Sequence, residues 1–364
     1  MKRFKSLALG IEITSIAFCV AILAACESST STVDDREGLR AYRIAFVSER
    51  DGNSEIYLMN GAGEKLRRLT NHPGYDTWPT WSPDGSLLLF TSGRDGGQNL
   101  YVTDANGLRT QNDLRTHRIT YTQSPNEPGV WSPDGQMIAH TSGLSGVETE
   151  IYVVNPSGTS VNRVTKNDYP DFMPTWSPDG TRLAFYSMRT QFLNQIYVMS
   201  SSGQNQMRIT DSPFGCTRPL WNPKRDEIAF VKSTGKSESD LAISVMNVDG
   251  GNQRELFGFS APFHSVSFAW SPSGDILLAS KGETAKSQIY TIEVSNFTVQ
   301  NLSGNQYDET SPSWSPDGQW IVFVSTRDGN KEIYVMRKDG TNATRLTFDS
   351  AVDDYPVFSP RLYK

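Results

Sequence analysis

Cysteine is nearly missing from this chain, with three in 364 residues. Cys19 lies in an apolar N-terminal run, Cys26 follows that run and Cys216 stands alone, so no intrachain disulfide is expected. Histidine is as scarce, at four. His72, His117, His140 and His264 share no ligand spacing, which leaves them ordinary polar residues more readily than a metal centre. Basic charge is short as well, 34 Lys and Arg against 40 Asp and Glu. That balance argues against nucleic acid, which needs a basic footprint. What the chain has in quantity is turn formers, 29 Gly and 19 Pro, with 11 % aromatics suited to an all-β core.

Many of those turn formers belong to one repeated stretch. Trp-Ser-Pro-Asp-Gly stands whole at Trp81–Gly85, Trp131–Gly135, Trp176–Gly180 and Trp314–Gly318. It is frayed at Trp221 and Trp270, and the last copy is Phe358-Ser359-Pro360. The steps between anchors are 50, 45, 45, 49, 44 and 44 residues. A period of that length marks stacked structural units. Pro presets φ for a type I turn and Gly accepts the left-handed conformation after it, so each motif should join two strands of a hairpin.

Three further strands recur in each unit. The strand after the turn carries Phe46, Phe90, Phe185, Phe230 or Phe323, with His140 and Ala279 as departures. Next comes an Ile-Tyr strand, and then a short Arg-apolar-Thr strand such as Arg68-Leu69-Thr70. Four short strands per unit make one propeller blade. The first unit, from Tyr42, lacks its Trp strand, and Asp354 to Pro360 supplies one. An all-β, seven-bladed β-propeller closed by pairing of N- and C-terminal strands is therefore expected, with six blades as the alternative.

Residues 1–25 are read as a signal peptide, with basic Lys2, Arg3 and Lys5 ahead of an apolar stretch. Leu23-Ala24-Ala25-Cys26 resembles the lipobox of bacterial lipoproteins, which implies that Cys26 is lipidated and becomes the N-terminus. Removing 1–25 leaves 31 basic against 39 acidic residues, a net charge of −8. Residues 26–41 are Ser/Thr-rich and read as a flexible tether, and 42–364 as the propeller. Glu27 lacks the Asp that commonly retains such proteins at the inner membrane, so the outer membrane, facing the periplasm, is expected.

Trp-Ser-Pro-Asp-Gly, then Ala45-Phe46-Val47-Ser48-Glu49-Arg50-Asp51-Gly52, then Ile-Tyr-Val-Met and Arg-Leu-Thr, resemble the repeats of the TolB propeller family. The resemblance covers about residues 42–360. It implies a non-catalytic scaffold in the bacterial cell envelope that binds a protein or other ligand. TolB itself carries an α/β domain ahead of six blades, whereas here a tether and seven blades are read. Similar propellers cap prolyl and dipeptidyl peptidases, which need a Gly-x-Ser-x-Gly elbow, and Gly143-Leu144-Ser145-Gly146 lacks that spacing. A propeller enzyme or carbohydrate-binding protein acting on an oligosaccharide or peptide in the channel is the alternative.

Five residues before each anchor lie Asp76, Asn126, Asp171, Cys216, Ser265, Glu309 and Asp353. Asp76, Asp171, Glu309 and Asp353 are thereby candidate binding residues at a channel mouth, with Tyr75, Tyr169, Tyr307 and Tyr355 near them. Arg50-Asp51-Gly52, Arg94-Asp95-Gly96, Arg189 and Arg327-Asp328-Gly329 belong to the same face. The plainer reading is structural, with the acids bonding turn amides or the Arg-Asp pairs tying adjacent blades. No cofactor is expected, and Ca²⁺ is the cation such a ring of carboxylates would suit.

Overall fold

Ser82 to Gly85 closes as the motif requires: Ser82 O accepts from Gly85 N at 2.8 Å, and Gly85 has φ +71°. Asp84 holds the turn from inside, accepting from Ser82 Oγ at 2.6 Å and Ser86 N at 3.0 Å. The computed structural model describes residues 37–360 apart from 107–115, 122–127, 144–148, 191–192, 237–239, 261–265, 284–285 and 305. Cys26, the signal stretch, most of the tether, Asn126, His264 and Ser265 lie outside the described residues.

The strands form seven antiparallel four-stranded sheets. Blade 2 is typical, with Asp76–Trp81 innermost, then Leu87–Ser92, Asn99–Asp104 and His117–Arg118. Blades 3 to 7 follow in chain order and begin at Val130, Asp171, Cys216, Ser267 and Glu309. Blade 1 is assembled from both ends: Asp353–Phe358 pairs with Arg43–Ser48, Ile44 opposite Phe358. Its severed turn keeps the turn's bonds. Arg43 N donates to Ser359 Oγ at 3.1 Å as Leu87 N does to Ser82 Oγ at 2.9 Å. Seven blades and their closure agree with the reading of the repeats.

Each core cluster bridges two consecutive blades, and the seventh joins blade 7 to blade 1 through Trp320, Val322, Ile44 and Phe46. The repeated aromatics fill these seams. Phe90 stacks on Tyr101 with centroids 5.8 Å apart and Phe185 on Tyr197 at 5.7 Å, contacts worth roughly 1 kcal/mol each beyond area burial. Each anchor Trp packs in a seam, and Trp81, Trp131, Trp176 and Trp270 donate across it, whereas Trp221 Nε1 and Trp314 Nε1 are buried with no partner among the described residues. Trp81 Nε1 reaches Val357 O at 3.2 Å and Trp176 Nε1 reaches Val130 O at 3.1 Å, both on the preceding blade. An indole suits that role because its body is apolar and its edge needs a partner when buried.

Two local departures have physical causes. Gly38–Ala41, the end of the stretch read as tether, is a 3-10 turn whose Leu39 is fully buried in the seam of blades 7 and 1. One leucine in a polar segment was enough to dock it. In blade 6, where Ala279 replaces Phe, Lys281 Nζ lies 4.8 Å from the Phe257 ring and 5.3 Å from Tyr290. The lysine takes up the volume and the cation–π contact that Phe and Arg supply elsewhere.

Candidate functional site

In each blade the inner strand starts where the second strand ends, Asp76 opposite Ser92 and Glu309 opposite Ser325. The loops entering the inner strands and those joining second to third strands therefore share one rim, and the candidate acids lie at its base. All four are fully buried. Each has its own arginine in the same blade. Arg94 lies 2.7 Å from Asp76, Arg189 2.6 Å from Asp171 and Arg50 2.9 Å from Asp353, while Arg327 pairs with Glu309. The pairs thus tie a strand start to a loop within one blade and not one blade to the next.

The arginine is held from three sides. Arg94 Nε donates to Ser92 Oγ at 2.9 Å, and its guanidinium lies 4.7 Å from the centre of Tyr101. Tyr101 donates its hydroxyl to Asp95, as Tyr57 does to Asp51 and Tyr334 to Asp328. Each Arg-Asp-Gly loop is thereby locked on both of its charged residues. Burial outweighs the guanidinium for the acids themselves. It pushes Asp76 up to about 6 and raises Glu309 and Asp353 above the usual carboxylate range. The second oxygens of Asp76, Asp171 and Glu309 are buried and accept no hydrogen bond from the described residues.

Acid and arginine vary together. Blade 5 has Cys216 at the acid position and Thr234 where the others have Arg, and Cys216 is buried with its thiol pushed up to about 11 by desolvation. The described residues hold no group of three or more His, Cys, Asp or Glu placed to share a metal ion. His72 Nδ1 accepts from Gly74 N, His117 Nε2 meets Pro156 O at 2.7 Å, and His140 is buried in blade 3 against Tyr152. The three lie in separate places.

Two features of the rim escaped the sequence reading. Trp78, Met173, Arg218, Ser311 and Tyr355 all have φ between +48° and +52°, each directly before a proline. The inner strand bulges there, as between Thr77 and Thr80. A left-handed non-glycine residue costs roughly 1–2 kcal/mol, so five in register mark a conformation the ring enforces. The bulged residues meet their neighbours: Trp78 packs edge-on to Tyr355, centroids 6.2 Å apart, and Ser311 Oγ reaches Asp354 at 3.3 Å. The X-Pro pair three and two residues before the anchor was the available signal.

The second feature is aromatic exposure. Among the described residues seven aromatic side chains are exposed, and six of them lie on this rim: Tyr75, Tyr121, Phe214, Tyr307, Phe348 and Tyr355. Phe348 is 75 % exposed and Tyr121 71 %. Of the tyrosines named from sequence, Tyr75, Tyr307 and Tyr355 are exposed and Tyr169 is half-buried.

Comparison with known proteins fits this geometry. The family model described as TolB beta propeller domain matches residues 40–146, 110–260 and 258–363. A Tol-Pal system protein TolB of Desulfosudis oleivorans is 38 % identical over 86 residues, 24 % of this chain and 18 % of that protein. The alignment thus spans less than a fifth of that relative. The crystal structure of TolB from Acinetobacter baumannii superposes with a TM-score of 0.57 at 19 % identity, covering 89 % of this chain and 68 % of that one. An oligogalacturonate lyase in complex with manganese reaches a TM-score of 0.58 at 17 % identity, covering 84 % and 85 %. Those two likenesses are of fold alone.

Proposed function

This chain belongs to the TolB β-propeller domain family, and on that premise we propose that it is a non-catalytic propeller that binds a protein partner in the bacterial cell envelope. One observation carries the reading. Six exposed aromatics ring a single rim, and on the loops of Tyr75, Tyr307, Phe348 and Tyr355 the acids and arginines are already paired. Exposed aromatic side chains gathered on one surface are the composition of a protein interface and are costly to leave in water. The membership of TolB relatives in the Tol-Pal system supports an envelope protein as the partner.

The clamped acids serve that interface indirectly. Asp76, Glu309 and Asp353 fix the loops that carry Tyr75, Tyr307, Phe348 and Tyr355, so that part of the rim is preorganised and less entropy is lost on binding. Leu23-Ala24-Ala25-Cys26 supports a lipid anchor on Cys26 that holds the propeller at the outer membrane, facing the periplasm. The mass of the mature N-terminal peptide tests the anchor, and an unmodified peptide spanning Ala25-Cys26 would exclude it. For the interface, Phe214→Ser, Tyr307→Ser and Phe348→Ser together should abolish co-purification of the envelope partner while leaving the thermal midpoint within a few degrees of the parent. Undiminished co-purification with the triple variant would remove the rim as the binding surface.

A further inference from the structure

At the opposite face, that of the Trp-Ser-Pro-Asp-Gly turns, two seams set an arginine of one blade over the anchor Trp of the next. Between blades 1 and 2, the Arg43 guanidinium lies 4.6 Å from the centre of the Trp81 ring. It donates to Gly85 O, to Ala105 O at 3.3 Å and to Asn106 Oδ1 at 2.8 Å. Arg67, on the outer strand, also donates to Ala105 O. Between blades 4 and 5, Arg182 lies 4.8 Å from Trp221 and 2.8 Å from Asp226. Between blades 5 and 6 an arginine at a different position, Arg225 in the place of Gly85, donates to Gly274 O and lies 2.8 Å from Asp275.

The seam of blades 3 and 4 has no arginine in that place and leaves space there. Arg43, Arg182 and Met137 are equivalent, since each N–H donates to its turn serine, Ser359, Ser177 or Ser132. So Met137 stands where these two seams have an arginine and three others have Leu87, Ile276 or Trp320, and Asn162 stands in the place of Arg67. Here a cavity of about 580 Å³ opens, lined by Met137, Asp134, Trp176, Gly180, Ser201 and Ser202. Trp176 and Gly180 correspond to Trp81 and Gly85. Ser201 and Ser202 correspond to Ala105 and Asn106, for Ser201 N donates to Thr181 O as Ala105 N donates to Ser86 O.

The walls keep the chemistry of the seam that Arg43 fills. An indole, a turn-glycine carbonyl, a carbonyl after the third strand and a short polar side chain are all in place. Asp134 adds an anion, its carboxyl held below the usual range by Ser132 Oγ and Gln136 N. Arg163 also borders the cavity, but it is engaged by Glu150 at 2.6 Å and by Thr165 O at 2.9 Å.

We propose that this cavity is a receptor for a guanidinium group carried by another molecule, either an arginine side chain of a bound polypeptide or a free arginine-like solute. A planar cation stacks on an indole face and spreads its donors over fixed carbonyls, which an ammonium does less well. The site lies on the face away from the aromatic rim and does not depend on the rim's role.

Titrating the full chain with N-acetyl-L-arginine amide and with free L-arginine, followed by tryptophan indole NMR, tests this. Saturable one-site binding with a dissociation constant on the order of 1 mM is expected, and N-acetyl-L-lysine amide should bind at least about 5-fold more weakly. Tighter binding of the amide points to a polypeptide source, and tighter binding of arginine to a solute. Met137→Arg should fill the slot from within, abolish binding and raise the thermal midpoint. Asp134→Asn, on an exposed turn, should weaken binding several-fold without unfolding the chain. No saturable shift up to about 20 mM, or unchanged affinity in both variants, would overturn the proposal.

Discussion

Asp76 and His140 are both buried, and their titrations act on stability in opposite senses. Asp76 is raised to about 6 from 3.8, so the stability it contributes is full below about pH 4 and is lost as pH rises through 6. His140 is lowered by burial to about 4 from 6.5, so its contribution is full above 6.5 and is lost as pH falls toward 4. The imidazole occupies the place of Phe46 and Phe90, stacks on Tyr152 and has no hydrogen-bond partner among the described residues. His140→Phe should therefore stabilise the protein, and the gain should grow to on the order of 2 kcal/mol at pH 5. Denaturant midpoints of variant and parent at pH 7 and pH 5 measure it, and a gain independent of pH would contradict the buried neutral imidazole.

The Asp76–Arg94 pair can be weighed the same way. Arg94→Leu strands a buried carboxylate and should cost roughly 3 kcal/mol. Adding Asp76→Asn should restore most of that loss, because blade 5 does without both partners at Cys216 and Thr234. Additive losses in this double-mutant cycle would mean that the two groups act separately.

At the scale of the element, the turn and the bulge differ in how openly the sequence announces them. Ser-Pro-Asp-Gly fixes the hairpin through local bonds alone, and its glycine needs φ > 0 without needing space. Gly318 has φ +66° and an added Cβ would meet only Pro272 Cδ at 3.4 Å, whereas at Gly203 it would meet Val164 O at 2.2 Å. Gly318→Ala should accordingly cost about 1 kcal/mol, and Gly203→Ala clearly more because backbone must move. Thermal unfolding of the two variants separates these terms, and equal losses would refute the distinction. The bulge at Trp78-Pro79 is imposed by ring packing, so its left-handed residue could not be read from local propensity. The same holds for the Asp76–Arg94 bond, which joins residues 18 apart through a register that only the folded sheet defines. The cavity at Met137 was hidden for a related reason, since its likeness to the Arg43 site emerges only when one seam is laid over the other.

For the whole molecule, periodicity told most. Seven anchors and a first unit lacking its Trp strand pointed to a ring closed by its two ends, and Asp353–Phe358 pairs with Arg43–Ser48 as that requires. Deleting residues 353–364 should expose the edge of Arg43–Ser48 and open the core shared by blades 7 and 1. Equilibrium unfolding and light scattering should then show a large loss of stability or association, and a truncated protein as stable and monomeric as the parent would refute closure. The rim was half legible. Its acids and several tyrosines stood out as a repeated position, but burial of the acids and exposure of Phe214 and Phe348 depend on which way each loop turns.

The claim that this family member binds a protein on its aromatic rim is tested most directly by photo-crosslinking in intact cells. A photoreactive residue replaces Phe348 on the rim or, in a second strain, Asp317 in a turn on the opposite face. Phe348 should yield a discrete crosslinked protein that Asp317 does not. Crosslinking from neither position, or equally from both, would contradict a partner seated on the rim.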